Sequence, residues 1–292
     1  MTFRPLEYLP GGSKLLSLSR RLRSVSERLL SVQLSVLAGY SGIASFYLKN
    51  RPNLGDRYSS PTLYFPRLKE TAFFCPLTAQ LPKVWHQKTV LVGGGGLIAN
   101  QAFQPSMKAL VTYRPRILVA WGIGHNAHGR REISCPAYLE KFDLVGIRDY
   151  GFQYSWVPCA SCLHPGFDHK YEITEEFVVY ENALCSRVPI VGFKKLDNTE
   201  ESLENVLRFL GSANTVLTSS YHGAYWATLL GRNVIIVNPF SSKFFGFKHT
   251  HPIADESNWR SKLHEVRSYP EALEECRRAN VDFSEKVLSL IG

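Results

Sequence analysis

Short runs of continuously apolar residues alternate with helical stretches over most of this 292-residue chain. Continuous rather than alternating apolarity is typical of strands that are covered on both faces, as in parallel sheets with helical crossovers. The predicted strands are residues 43–48, 89–94, 116–122, 144–149, 176–182, 188–193, 215–220 and 233–239. The pattern therefore predicts an α/β protein.

The chain is long enough to form two domains of ordinary size. An irregular stretch that contains prolines and cysteines, residues 156–173, separates the predicted strands into two groups. We therefore predict two Rossmann-like halves with parallel sheets, residues 41–165 and 166–292. Their cleft should lie at the carboxyl ends of the strands, where α/β proteins build their sites.

Residues 1–40 follow a different pattern, which predicts a basic amphipathic helix. Apolar residues recur at steps of three and four, so a helix would place them on one face. They are Leu15, Leu18, Leu22, Val25, Leu29, Val32 and Val36. Residues 1–30 also contain six Lys or Arg against two Glu, so this segment is strongly basic.

Three interpretations of this N-terminal helix stay open. It packs on the body of the protein or on a second subunit. Alternatively, residues 13–37 lie in a membrane interface, with the arginines toward anionic headgroups. A transit peptide, rich in Arg and Ser and poor in acidic residues, is the third interpretation.

Composition limits the class of protein. With 45% apolar and 20% charged residues, the chain is typical of a soluble globular protein, and no run approaches the ~18 apolar residues of a membrane span. Six scattered cysteines and the lack of a secretory signal pattern predict a cytoplasmic protein, with peripheral attachment to the inner face of the membrane as an extension. The net charge of +9 suits an anionic surface or a phosphorylated substrate, and no nucleic-acid motif is present.

The segment TSSYHGAYWATLLGR, residues 218–232, is the strongest candidate for chemistry. A lone histidine in a helix is more often structural. His222, however, follows Ser219 and Ser220 at a predicted strand end, where the free amides of the next helix favour an anion. Lys243 follows the next strand, so the sequence predicts an anionic-ligand site that includes an imidazole.

Two turns in the first half add polar and flexible groups. Asn53, Gly55 and Asp56 follow the first body strand, and on spacing alone they predict a helix cap in which Asp56 satisfies free amides. Residues 92–100 contain four successive glycines, which predict either a tight strand-to-helix turn or an anion-binding turn at Gly94, Gly95 and Gly96.

Arg148 stands at a predicted strand end beside Asp149, where its guanidinium either pairs with that acid or reaches a carboxylate or phosphate in the cleft. The glycine turn lacks the acidic residue that a nicotinamide site needs about 20 residues later, so that cofactor is not expected. Cys159 and Cys162 lack a second ligand pair for structural zinc, which favours plain thiols and no metal.

The order of these motifs resembles the polysaccharide pyruvyl transferase family over residues 43–250. The motifs are N-x-G-D (Asn53, Gly55, Asp56), GGGG-L-I (93–98), W-G-I-G (121–124), R-D (148–149) and S-x-H-G-A (Ser220, His222, Gly223, Ala224). Many members carry an arginine two residues before the motif histidine. In this chain Ser220 occupies that position, which resembles the shorter exopolysaccharide ketal transferases. Without the motif arginine, Arg148 would balance more of the donor's negative charge.

The resemblance implies a fold like that of GT-B glycosyltransferases and a reaction in which phosphoenolpyruvate gives its three-carbon unit to two hydroxyls of a sugar, with no other cofactor. The acceptor would be an oligosaccharide or a lipid-linked glycan. Arg148 and Lys243 would hold the donor, with Ser219, Ser220 and the glycine turn in support. His222 would act as general acid or base and phosphate contact, and Asp56 as base or, together with Asn53, as a ligand of the sugar.

Two other functions stay open at this point. A GT-B fold also suits a glycosyltransferase that uses a nucleotide sugar, because fold similarity does not fix chemistry. A noncatalytic relative that binds glycan or membrane through the same surface is the third alternative.

Overall fold

The computed structural model describes residues 42–49, 52–70, 72–74 and 88–292. In these ranges the chain forms two parallel β-sheets flanked by helices, so the α/β class with two Rossmann-like halves is confirmed. The predicted N-terminal helix, residues 1–40, lies outside the described residues. None of the described helices has both the length and the apolarity that a bilayer-spanning helix needs.

The first sheet belongs to the first half of the chain. Its strands are β1 (Ile43–Phe46), β2 (Ala72–Phe74), β3 (Thr89–Val92), β4 (Gly95–Ile98), β5 (Ile117–His125), β6 (Leu144–Ile147) and β7 (Ser155–Trp156). They run in the order β2-β1-β3-β5-β6-β7, with β4 also paired to β5, and each pair is parallel. Every residue of β5 is buried, as expected of a strand covered on both faces.

The second sheet belongs to the second half. Its strands are β8 (Glu175–Glu181), β9 (Lys194–Asp197), β10 (Ala213–Thr218), β11 (Asn233–Val237) and β12 (Ile253–Ala254). The order is β12-β11-β10-β8-β9, again with only parallel pairs among the described strands. Apolar clusters cover both faces of this sheet.

Five α-helices lie in the described part of the chain: α1 (Leu54–Arg57), α2 (Gln104–Tyr113), α3 (Leu203–Gly211), α4 (Tyr221–Leu229) and α5 (Ala272–Ile291). Short 3-10 segments occur at Pro61–Leu63, Pro66–Leu68, Ala137–Lys141, Ala160–Leu163, Pro165–Asp168, Ser242–Phe244 and Trp259–Glu265. All nine residues of α4 are buried, so this helix lies in the interior rather than on the surface of the second half.

The last helix returns to the first sheet. Phe283 of α5 packs edge-on against Trp121 of β5, with the ring centroids 5.0 Å apart. Asn280 accepts a hydrogen bond of 2.8 Å from the indole nitrogen of Trp121. Full burial of an aromatic side chain such as Phe283 stabilises a fold by about 2–3 kcal/mol. The later part of α5 therefore packs with the first half, whereas Ala272 and Cys276 near its start belong to an apolar cluster of the second half.

One predicted strand, residues 188–193, is wrong. Val188 and Ile190 are buried beneath the second sheet, but Pro189 has no N–H to donate and Val191 is 81% exposed. The edge strand is β9 instead, with the sequence KKLD. An edge strand is covered less completely, so it lacks the apolar run that the prediction looked for.

The glycine turn connects two strands and not a strand to a helix. It leads from β3 to β4, and α2 begins only at Gln104. A Cβ atom at Gly93 would lie 1.9 Å from the carbonyl oxygen of Trp121. Glycine is therefore required here because the turn passes directly against β5.

Candidate functional site

The carboxyl ends of both sheets converge and bring four predicted site residues together. Asp56 lies in α1 after β1, Arg148 follows β6, His222 lies in α4 after β10, and Lys243 follows β11. The charges of Arg148 and Lys243 both act on His222 and lower its pKa. Groups from both halves therefore meet where the strand pattern predicts the cleft.

Helix α1 fixes the two halves against each other. The amide of Leu54 donates to the carbonyl oxygen of Asn198 over 2.8 Å, and the guanidinium of Arg57 donates to the carbonyl oxygen of Glu200 over 2.8 Å. A Cβ atom at Gly55 would lie only 1.8 Å from Nδ1 of His222. Glycine at this position allows the loop of the first half to touch the histidine of the second.

The cap of α1 is Asn53, and the prediction that Asp56 fills this role is wrong. The Asn53 side-chain oxygen accepts from the amide of Gly55 at 3.2 Å, and its nitrogen donates to Oδ2 of Asp56 at 3.1 Å. Asp56 lies in the helix after the cap. Asn53 therefore positions the carboxylate of Asp56, which remains partly exposed.

The glycine turn uses part of its backbone for the fold. The amide of Gly93 donates to the carbonyl oxygen of Phe46, and that of Gly94 donates to the carbonyl oxygen of Ser59, both at 3.1 Å. Gly94 therefore does not present its amide to an anion as predicted. Gly95 lies near Asp56, because a Cβ atom on Gly95 would be 3.9 Å from Oδ1 of Asp56. Gly96 packs against the side chain of Asn126.

Both predicted serines have structural hydrogen bonds. Ser219 accepts from the amide of Asn182 and donates to the carbonyl oxygen of Ser186. Ser220 is the cap of α4, and its hydroxyl oxygen accepts from the amide of Gly223 at 3.3 Å. The two hydroxyls thus shape the start of α4, and any support for an anion is indirect.

Arg148 is held by an aromatic ring, and no carboxylate among the described residues forms an ion pair with it. Its guanidinium carbon lies 3.7 Å from the ring centroid of Tyr221, and this ring stacks on Phe247 with centroids 4.7 Å apart. Arg148 is buried, and its Nε has no hydrogen-bond partner. A cation–π contact fixes the guanidinium without neutralising its charge, so the charge remains available to a ligand.

Tyr221 was missed by the sequence analysis. It directly follows Ser220, the cap of α4. Only the contact between the start of α4 and the end of β6 reveals its role.

Lys243 is the second buried cation of the cleft. Burial lowers its pKa to about 8, with a further contribution from the charge of Arg148. Its Nζ lies 4.2 Å from the ring centroid of Phe240, and among the described residues it forms no ion pair with a carboxylate. Two like charges in one buried site are unfavourable unless a ligand compensates them.

His222 lies between Cys159, Trp226 and the loop of Gly55. Burial lowers its pKa well below the ordinary value, and the charges of Arg148 and Lys243 lower it further. The imidazole is therefore neutral at neutral pH. Its Nε2 is 3.5 Å from Sγ of Cys159.

A second histidine, His125 at the end of β5, was also missed. Its Nδ1 lies 2.8 Å from Oδ2 of Asp149 and its Nε2 lies 2.9 Å from the carbonyl oxygen of Ser134. Both neighbours only accept hydrogen bonds, so both ring nitrogens carry hydrogen. Burial opposes this charge, but the hydrogen bonds to Asp149, Cys135 and Ser134 together with the charge of Asp149 outweigh it and raise the pKa of His125 to about 9. Asp149 therefore pairs with His125 and leaves Arg148 free.

Replacing His125 by Gln should destabilise the protein by about 3–5 kcal/mol at pH 6, because the buried carboxylate of Asp149 loses its partner. Folding raises the pKa of His125. The contribution of this residue to the free energy of unfolding is therefore complete below about pH 6.5 and is lost as the pH rises toward 9. Urea unfolding at pH 6, 7.5 and 9.5 measures the difference. His264→Gln, at an exposed histidine, is the matched control. A destabilisation that does not shrink with rising pH would contradict the charged pair.

An open groove of about 560 Å³ lies beside the cleft, at the carboxyl ends of β8 and β9. Its lining comprises Glu181, Arg187, Lys195, Leu196, Asp197, Thr199, Glu200 and Glu201. Arg187 pairs with both Glu181 and Asp197, so much of the charge is already balanced. The groove contains none of the predicted site residues.

The described residues contain no group of three His, Cys, Asp or Glu side chains arranged to bind a metal ion. Cys159 and Cys162 are fully buried free thiols. Burial raises the pKa of both thiols, so they are protonated at neutral pH.

No family model and no curated protein matches this chain. The chain is similar to the solved structure of a functionally uncharacterized protein from Klebsiella pneumoniae, with 14% sequence identity and a TM-score of 0.42. The similarity covers 70% of this chain and 86% of that chain.

Proposed function

We propose that this protein is a GT-B-like transferase that adds a pyruvate ketal from phosphoenolpyruvate to a sugar of a surface polysaccharide or its precursor. The observation that carries the proposal is the pair of buried cations, Arg148 and Lys243, without a carboxylate partner in the described residues. A small trianion would compensate both charges. The neutral imidazole of His222 and the carboxylate of Asp56 lie at the same cleft.

The reaction requires one proton on the donor and two oxygen nucleophiles. A proton adds to the methylene carbon of phosphoenolpyruvate, and the neighbouring carbon becomes an oxocarbenium-like centre. One sugar hydroxyl oxygen bonds to this centre, the bond to phosphate breaks with its electron pair, and a second hydroxyl oxygen closes the ketal. One of the two hydroxyl protons replaces the proton that the methylene carbon takes up, and the other protonates the released phosphate.

The cleft residues match these needs. Arg148 and Lys243 would hold the phosphate and the carboxylate of the donor. With a pKa of about 8, the Lys243 ammonium can also release a proton near neutral pH, so it is a candidate acid. Asp56, positioned by Asn53, would accept a proton from a sugar hydroxyl. His222 starts neutral, so it would act through a hydrogen bond or as a base and not as an imidazolium acid.

The test is to incubate the purified protein with phosphoenolpyruvate and an oligosaccharide acceptor, and separately with nucleotide sugars and the same acceptor. We expect phosphate release that depends on the acceptor, together with an acceptor that gains the mass of a ketal. Release of nucleotide from a nucleotide sugar would instead indicate a glycosyltransferase. Binding of glycan without any turnover would indicate the noncatalytic alternative.

Attachment to the inner face of the membrane through residues 13–37 is part of the same proposal, because a lipid-linked acceptor would be presented there. Flotation with anionic liposomes tests this part. The full chain should float, and a variant without residues 1–38 should not.

A further inference from the structure

A line of four buried side chains ends at the imidazole of His222. The indole Nε1 of Trp226 lies 3.0 Å from Oγ of Ser161, and this oxygen lies 3.2 Å from Sγ of Cys159. The sulfur in turn lies 3.5 Å from Nε2 of His222. At most 5% of the surface of each of these residues is exposed, so water does not compete for these hydrogen bonds.

The indole of Trp226 determines which atom donates in each of these hydrogen bonds. An indole N–H only donates, so the Ser161 oxygen must accept from Trp226. The single hydroxyl hydrogen of Ser161 is then directed to the sulfur of Cys159. The thiol keeps its own hydrogen, because burial raises its pKa, and the described residues offer it no acceptor other than Nε2 of His222.

Because the thiol donates, it also determines which nitrogen of the His222 imidazole carries the hydrogen. A neutral imidazole carries one hydrogen, on either Nδ1 or Nε2, and the hydrogen bond at one nitrogen decides which. The surrounding cations and burial keep His222 neutral. If Nε2 accepts from the thiol, the hydrogen must be on Nδ1, the atom that faces Gly55 and the loop of Asp56.

We propose that Cys159 is a positioning residue that holds His222 in the tautomer with hydrogen on Nδ1. In this tautomer the ring nitrogen of His222 that faces the loop of Gly55 and Asp56 is a hydrogen-bond donor and not a basic lone pair. The catalytic role of this tautomer rests on the proposed function. His222 would donate a hydrogen bond to an oxygen of phosphoenolpyruvate, and the proton of the sugar hydroxyl would go to Asp56. The tautomer itself does not depend on the identity of the substrate.

The direct test is a long-range proton–nitrogen NMR spectrum of the full-length protein labelled with ¹⁵N-histidine at pH 7. The spectrum of His222→Gln assigns the signal of His222 by its loss. In the wild type we expect hydrogen on Nδ1 and none on Nε2. Hydrogen on Nε2, or on both nitrogens, would overturn the proposal.

Two variants test the role of the thiol. Cys159→Ala should shift the tautomer population of His222 toward hydrogen on Nε2, whereas Cys159→Ser keeps an O–H donor and should preserve the wild-type signal. An unchanged spectrum in Cys159→Ala would show that the thiol does not set the tautomer, and would overturn the proposal. Thermal unfolding checks that both variants are folded.

The same variants link the tautomer to turnover. In the phosphate-release assay we expect kcat to fall about tenfold in Cys159→Ala, as is typical when the outer partner of a functional histidine is lost. KM for phosphoenolpyruvate should stay within about twofold, and Cys159→Ser should recover most of kcat. Full activity in Cys159→Ala would overturn the positioning role. If the wild type shows the Nδ1 tautomer but never turns over, the proposed function fails while the assignment of the tautomer stands.

Discussion

Replacing Lys243 by Met is expected to weaken the binding of phosphoenolpyruvate strongly and at the same time to stabilise the ligand-free protein. Loss of a buried charge partner of an anion costs about 2–5 kcal/mol, so binding of phosphoenolpyruvate should weaken by roughly thirtyfold or more. Folding lowers the pKa of Lys243 from 10.5 to about 8, so the charged form is disfavoured by roughly 3 kcal/mol in the native state. Methionine removes this cost and fills a similar volume.

Calorimetric titration and urea unfolding at pH 7 measure the two effects. The free energy of unfolding should rise by about 1–3 kcal/mol. The increase in stability should also depend on pH. The destabilisation caused by the buried Lys243 ammonium is complete below about pH 8 and disappears as the pH approaches 10.5. The increase in the free energy of unfolding of Lys243→Met should therefore shrink between pH 8 and 10.5. Lys262→Met, at a surface lysine paired with Glu265, is the control and should change neither quantity. A destabilised variant that still binds the donor would contradict the assignment of Lys243.

The fold was predictable where strands are covered on both faces. Such strands are rich in apolar residues, and β5 and β11 follow that pattern closely. Strand β9 was not predictable in this way, because it lies at an edge and its sequence KKLD can face solvent. Residues 188–193 were misread because Val188 and Ile190 are buried by packing beneath the sheet without joining it.

The site was predictable only as a list of residues at strand ends. Parallel strands deliver their carboxyl ends to one side, and this places Arg148 and His222 at the same cleft without any knowledge of their contacts. The partners of these residues could not be derived, because they come from distant parts of the chain. Asp149 lies 24 residues from His125, and Cys159 lies 63 residues from His222.

The missing motif arginine shows how such contacts change an interpretation. Under the proposed function, Ser220 in place of the arginine of the resembled family would remove one positive charge from the site of the donor. In the structure the residue after it, Tyr221, supplies a ring beneath Arg148 instead. The cation therefore comes from the first half of the chain, and its orientation comes from the second half. Neither motif contains this information alone.

Replacing His222 by Ala is expected to give the largest loss of turnover among the residues of α4. Its ring touches the loop of Gly55, and removal takes away the hydrogen-bonding group between the two halves. Loss of one positioned hydrogen-bond donor to a developing charge costs about 10²–10³ in kcat. Binding of phosphoenolpyruvate should change much less, because Arg148 and Lys243 remain. Single-turnover phosphate release and calorimetric titration separate the two quantities.

His251 provides a control, because it is a partly buried histidine whose pKa is lowered, to about 3, by burial. Its Nε2 is hydrogen-bonded to Oγ1 of Thr228 near the other end of α4, at 2.9 Å, whereas the ring nearest to Gly55 is that of His222. His251→Ala should therefore lower stability without lowering kcat more than a few-fold. Burial and a lowered pKa are common to both histidines, and only the position of His222 at the cationic cleft distinguishes them. Equal losses of kcat in both variants would assign the effect to packing and remove His222 from the chemistry.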